Sequence, residues 1–150
     1  MGSDPQRQLI RAAALAHGLA PHVLAGLVRV ESGGNPWAVR AEPGYRWLVG
    51  DDPGEPLLVP PGSTRDTEWA CQRLSWGLCQ VMGATARELG YAGWLPRLAD
   101  PALGLEYGAR YLARCLARSQ GNLVLGLLKY NGGGDPGYPR RVLDAAESCR

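Results

Sequence analysis

Glu31 is the residue of this chain best placed to do acid–base chemistry. Leu24, Leu27 and Val28 recur at i, i+3 and i+4 along a helix that starts at Pro21, and the next position of that apolar stripe is Glu31. A carboxyl there is directed toward the interior or a cleft. It also lies in the last helical turn, at the negative end of the macrodipole. Both surroundings disfavour the carboxylate, so Glu31 is expected to keep its proton to a higher pH than an ordinary glutamate. An acid held neutral near pH 7 suits general acid catalysis, for instance at a glycosidic oxygen. The same position also fits a last-turn glutamate that reaches back to solvent, and Glu31 alone does not choose between the two.

The elements that must position Glu31 follow from caps and breakers. Ser3-Asp4-Pro5-Gln6 opens a first helix with a capping side chain, an early proline and a glutamine able to close a capping box. That helix runs through Leu9, Ile10, Ala13 and Ala14 to Gly18, and the Pro21 helix ends at Gly33-Gly34-Asn35-Pro36. Residues 41–65 hold Glu42-Pro43-Gly44, Asp52-Pro53-Gly54-Glu55-Pro56 and Pro60-Pro61-Gly62. This reads as a long loop with room for a short hairpin pairing 45–49 with 57–59, and a loop of that length inside a compact domain is usually functional. Thr64 or Asp66 caps a short helix through Cys71, which leads into Ser75-Trp76-Gly77-Leu78-Cys79-Gln80-Val81-Met82. A helical stretch from Ala84 to Leu89 closes at Gly90. The longest helix starts at Asp100-Pro101 and ends near Gly121. Asn122 caps a helix over Leu123 to Tyr130, which breaks at Asn131-Gly132-Gly133-Gly134. A last helix runs from Pro139 to about Glu147. The fold class is therefore mainly α, in a single domain over residues 1–150 with one insertion.

Composition narrows the function by exclusion. The 150 residues are 45% hydrophobic and 20% charged, as in globular domains, with a net charge of only +2. Lys129 is the only lysine among sixteen basic residues, and the arginines are balanced by acids, so no nucleic-acid partner is implied. No apolar run is long enough to span a bilayer, and the N-terminus carries no secretory signal pattern. Cys71, Cys79, Cys115 and Cys149 form no C-x-x-C pair and lie far in sequence from His17 and His22, so no metal site is expected and the thiols default to reduced. Asp51-Asp52-x-x-Glu55 lacks the ligand alternation of a calcium loop, and Gly132-Gly133-Gly134 lacks the Lys-Ser/Thr of a phosphate loop. Arg110, Arg114 and Arg118 share one helix face, where Glu106 pairs with Arg110 and the others suit the helix end, so the row reads as a solvated face.

Four blocks occur in one order: Glu31-Ser32-Gly33-Gly34-Asn35-Pro36-Trp37-Ala38-Val39; Ser75-x-Gly77-Leu78-Cys79-Gln80-Val81-Met82; Thr85-Ala86-x-x-Leu89-Gly90; and Tyr130-Asn131-x-Gly133. The series resembles the catalytic domain of soluble lytic transglycosylases, whose fold is shared with goose-type lysozymes, over about residues 8–145. The insertion, beginning Trp37-Ala38-Val39-Arg40-Ala41-Glu42-Pro43-Gly44-Tyr45, looks most like phage-borne members. Two residues depart from the pattern: Cys79 stands in place of the usual methionine, and Lys129 in place of a small residue.

The resemblance implies a lysozyme-like helical fold and cleavage of peptidoglycan between N-acetylmuramic acid and N-acetylglucosamine. By that analogy Glu31 protonates the leaving oxygen, then acts as base toward the 6-hydroxyl of the muramic acid, leaving a 1,6-anhydro end. No cofactor is implied. Ser32 is expected either to partner Glu31 or a substrate amide or simply to cap the helix end, Gln80 to bind a sugar acetamide or hydroxyl, Tyr130 to hold the Glu31 carboxyl, and Asn131 to shape the turn that follows. Cys79 and Trp76 are expected in the cleft, Trp76 as a stacking surface, with Trp37, Tyr45, Trp47 and Tyr91 as further candidates. Lys129, if it faces the cleft, meets carboxylates of the lactyl group or peptide. The competing readings are a muramidase using Asp51, Asp52, Glu55, Asp66 or Glu68 as its second carboxylate, and a non-catalytic wall-binding or virion module. The expected setting is a monomer made in a host cytoplasm that reaches the wall after release, through a holin or on a virion.

Overall fold

Asp4 caps α1 (Pro5–Ala16), its carboxylate accepting the Gln6 N–H at 3.0 Å. The computed structural model describes residues 4–150, so the capping part expected of Ser3 lies outside the described residues. Gln6 closes no box. Its side-chain amide donates to the Gly34 carbonyl at 3.0 Å and ties the start of α1 to the turn after Glu31. α2 (Pro21–Ser32) stops where Gly33 enters the left-handed region at φ 62°, a conformation that costs a residue without Cβ little.

The remaining elements are β1 (Val39–Ala41), α3 (Arg65–Gln72), β2 (Leu74–Trp76), β3 (Val81–Met82), α4 (Gly83–Glu88), a 3₁₀ turn (Leu95–Ala99), α5 (Pro101–Ala117), α6 (Leu123–Tyr130) and α7 (Tyr138–Glu147). Thr64, Asp100 and Asn122 cap α3, α5 and α6, each accepting the N–H three residues on. The chain is mainly helical, with one small sheet. Among the described residues no helix is long and apolar enough to cross a membrane. α5 lies at the centre of the core, burying Leu105, Ala109 and Leu112 against α1, α6 and the 3₁₀ turn.

α2 and α7 form the closest helix pair. A Cβ on Gly26 would sit 2.6 Å from the Val142 carbonyl oxygen and 2.7 Å from the Ala146 nitrogen, so only glycine admits α7 at this depth. The two helices run antiparallel, and one turn beyond Gly26 the end of α2 meets the start of α7. That places Glu31 beside Tyr138.

The sheet corrects one expectation. Its antiparallel order is β1-β2-β3, with Arg40 opposite Ser75 and Ser75 opposite Met82. It therefore flanks the insertion, and no hairpin pairs 45–49 with 57–59. Pro56 and Pro60 bracket the second segment and leave only three residues between them to pair. Both backbone groups of Val49 instead bond the Gln72 side chain, at 2.8 and 3.0 Å.

Gln72 belongs to a buried polar cluster that anchors the insertion. Its Nε2 also donates to Glu68 Oε1 at 3.1 Å. Arg87 grips both Glu68 oxygens, at 2.7 and 3.0 Å, and its third nitrogen donates to the Tyr91 and Gly93 carbonyls. Glu68 and Arg87 are almost fully buried, so Glu68 is unavailable as a cleft carboxylate.

Candidate active site

A cleft of about 620 Å³ opens between the end of α2, the sheet, the first part of the insertion and the end of α6. Its lining includes Glu31, Arg40, Glu42, Tyr45, Trp47, Ser75, Gln80, Met82, Thr85, Tyr111, Tyr130 and Asn131. Of the sequence-predicted residues, Glu31, Gln80, Tyr130 and Asn131 meet here, and Tyr45 and Trp47 join them from the insertion. Ser32, Cys79, Trp76, Trp37 and Tyr91 do not line it.

Glu31 occupies the position that its stripe implies. Burial pushes its pKa above the ordinary 4.5, against the lowering effects of the Tyr138 hydrogen bond and of the Arg40 and Arg141 charges. Tyr138 Oη donates to Oε1 at 2.5 Å, and Oε2 has no protein partner among the described residues. One oxygen is therefore fixed and the other remains for the transferable proton.

Tyr138 replaces Tyr130 in the role expected of the latter. The Tyr130 hydroxyl donates to the Cys79 carbonyl at 2.7 Å, and its ring tilts against Tyr111 with centroids 4.9 Å apart. It braces the cleft wall and leaves Glu31 to its neighbour. A signal for Tyr138 is present in the sequence: Tyr138, Val142 and Ala146 stand at i, i+4 and i+8, so the tyrosine heads the stripe that packs on α2.

The positions of the other candidates have equally local causes. The Ser32 hydroxyl lies 2.8 Å from the Leu78 carbonyl and 3.1 Å from that of Val28, and it accepts the Gly34 N–H. It clamps the helix end to the β2–β3 turn and does not touch Glu31. Side chains alternate along β2. With Ser75 lining the cleft, Trp76 falls on the core side, where its Nε1 donates to the Cys71 carbonyl at 3.1 Å. Cys79 is fully buried against Gly108, and burial pushes its thiol far above the ordinary range, so it is neither lining nor nucleophile. Tyr91 packs on Tyr107 and donates to the Trp94 carbonyl. Lys129 donates to the Arg118 carbonyl at the end of α5, away from the cleft.

Gln80 is at the cleft, but its amide is largely engaged. Nε2 donates to the Ala38 and Gly77 carbonyls at 2.8 and 3.0 Å, and Oε1 accepts the Ser75 hydroxyl at 2.9 Å. These bonds hold Gln80 at φ 49°, a left-handed backbone uncommon for a residue with a side chain. One lone pair of Oε1 remains for a ligand donor. Trp47, 71% exposed, meets Tyr45 edge-on at 5.5 Å and offers a flat apolar face at the rim.

The insertion's acids divide. Asp51, Asp52 and Glu55 line a neighbouring depression beyond Trp47, and Asp66 lies exposed at the start of α3. Glu42, not among the sequence candidates, is the second carboxylate of the cleft, and Arg40 Nε donates to it at 2.7 Å.

Tyr138→Phe separates the two effects of this tyrosine. Without its hydrogen bond the Glu31 pKa rises further, so the basic limb of the pH–rate profile moves to higher pH. The loss of a fixed carboxyl lowers kcat by about 10- to 100-fold. Profiles of wild type and variant check both.

The family model described as Transglycosylase SLT domain matches residues 8–137. No curated protein and no solved structure matches the chain.

Proposed function

Because the chain belongs to the SLT transglycosylase domain family, whose members are lysozyme-like enzymes that act on peptidoglycan, we propose that it cleaves the muramic acid–glucosamine bond with Glu31 as sole acid and base. The observation that carries the reading is Glu31 itself: a cleft-lining acid of raised pKa, with Oε1 fixed by Tyr138 and Oε2 without a partner among the described residues. Oε2–H protonates the glycosidic oxygen as the bond breaks. The resulting carboxylate then takes the proton of the muramic 6-hydroxyl, whose oxygen closes on its own anomeric carbon to give the 1,6-anhydro ring. An intramolecular nucleophile is already in place, so the protein need not supply one. Trp47 and Tyr45 offer stacking surface for the strand, and the Gln80 carbonyl an acceptor for a sugar amide.

One observation favours hydrolysis by a muramidase instead. Glu42 shares the cleft, and inverting hydrolysis uses a second carboxylate to activate water. Its bond to Arg40 opposes that use, since the guanidinium occupies one of the carboxylate oxygens that would take the proton of water. The likeness of the insertion to phage-borne members supports a lysin made in a host cytoplasm, acting as an endolysin or from a virion. Digestion of purified peptidoglycan tests the chemistry. Fragments with anhydro-muramic ends are expected; fragments with borohydride-reducible ends would replace the reading with hydrolysis, and no release would remove it.

A further inference from the structure

Arg40 is a cation in a cleft otherwise suited to a neutral sugar strand. β1 sets it opposite Ser75, and its side chain lines the same cavity as Glu31 and Glu42. Nε makes its one ion pair, to Glu42 at 2.7 Å, in a single-point contact. The two terminal nitrogens have no protein partner among the described residues. Together they form the edge of a guanidinium that matches a carboxylate in a bidentate pair. Arg40 and Glu31 line one cavity, so an anion held by Arg40 shares the cleft with the reacting bond. The basic position that the sequence offers for this purpose, Lys129, is turned away onto the Arg118 carbonyl.

We propose that Arg40 is a specificity residue that binds a carboxylate of the substrate, with Glu42 holding the guanidinium in place until that carboxylate arrives. The inference rests on the peptidoglycan reading above. In such a strand a carboxylate comes from two sources: the attached peptide, or the lactyl group of a muramic acid whose peptide has been removed, since an attached peptide holds that carboxyl as an amide. An oligomer of N-acetylglucosamine has neither.

Binding measured in the Glu31→Gln background avoids turnover and keeps the two readings separable. Affinities of Glu31→Gln and Glu31→Gln/Arg40→Gln are compared by calorimetry on three ligands: soluble peptide-bearing strands, strands stripped of peptide by an amidase, and N-acetylglucosamine oligomers. Loss of Arg40 is expected to weaken binding of the carboxylate-bearing strands by about tenfold or more. Binding of the neutral oligomer should stay within about twofold, and Arg40→Lys should recover part of the loss. A loss on stripped strands assigns the lactyl carboxylate, and a loss confined to peptide-bearing strands assigns the peptide. Equal weakening on the neutral oligomer, or no weakening on any strand, overturns the proposal. A wild-type protein that binds with this discrimination yet releases no fragment would sink the catalytic reading and leave this one standing.

Discussion

Glu31→Gln is expected to eliminate glycan cleavage and, at neutral pH, to make the protein more stable. The activity loss follows from its being the only acid and base of the proposed reaction; general acid–base catalysis contributes about 10²–10⁴-fold, and here one group serves both steps. The stability gain follows from linkage. Burial raises the folded-state pKa of Glu31 above its unfolded value near 4.5. Below the unfolded value the group is protonated in both states and costs nothing. As pH rises through the folded pKa, the native state must either keep a proton that the unfolded chain has released or bury a charge, so wild-type stability declines. Glutamine has no such proton and still accepts the Tyr138 hydroxyl. The melting temperature of Glu31→Gln should therefore exceed that of wild type at pH 7, and the difference should vanish near pH 4. Melting curves at the two pH values, beside a cleavage assay, check both halves. A variant that is inactive but no more stable at pH 7 would mean that Glu31 is not held in the folded protein as described.

The second large effect belongs to residues outside the cleft. Arg87→Met leaves the Glu68 carboxylate buried without its partner, which costs about 3–5 kcal/mol and is a large share of the roughly 5–15 kcal/mol that stabilises a domain. The melting temperature should fall by about 10 °C. Replacing both, as Glu68→Leu/Arg87→Met, removes the stranded charge and should recover much of that loss. Substrate binding should not recover with it. Gln72 would lose the Glu68 contact that orients its grip on Val49, and with it the anchor of the insertion that carries Tyr45 and Trp47. The double variant is thus expected to show a raised KM with little change in kcat. Denaturation curves and steady-state kinetics on the three proteins distinguish stability from positioning. A double variant with wild-type KM would show that the cluster stabilises the fold without holding the insertion.

Helix ends were the most legible part of this fold, because each is set by neighbours in sequence. Asp4, Thr64, Asp100 and Asn122 cap where their residue types imply, and Gly18 and Gly33 turn left-handed just past the ends of their helices. Glu31 was legible for the same reason, as one more position of a helical stripe. What the sequence did not reveal depends on contacts between distant segments. The Glu68–Arg87 pair spans nineteen residues, and nothing local distinguishes Glu68 from an exposed acid of the insertion. Strands of two and three residues carry no usable period, so the sequence leaves room for a hairpin inside the insertion, whereas the sheet lies beside it. Trp76 and Cys79 belong to the same block as Ser75 and Gln80, which points to the cleft, but their backbone places them on the core side. Tyr138 stands outside the family pattern, which Tyr130-Asn131 carries. The hydroxyl that reaches Glu31 comes from the next helix, brought there by the close approach at Gly26.

The most direct test of a mechanism that uses one carboxylate is to compare the ends left by wild type and by Glu42→Gln on the same purified peptidoglycan, by mass spectrometry with and without borohydride. Both proteins should leave 1,6-anhydromuramic ends, because Glu42 takes no part in forming them. Reducible ends from the wild type that disappear in Glu42→Gln would contradict this and make Glu42 the base of a hydrolase.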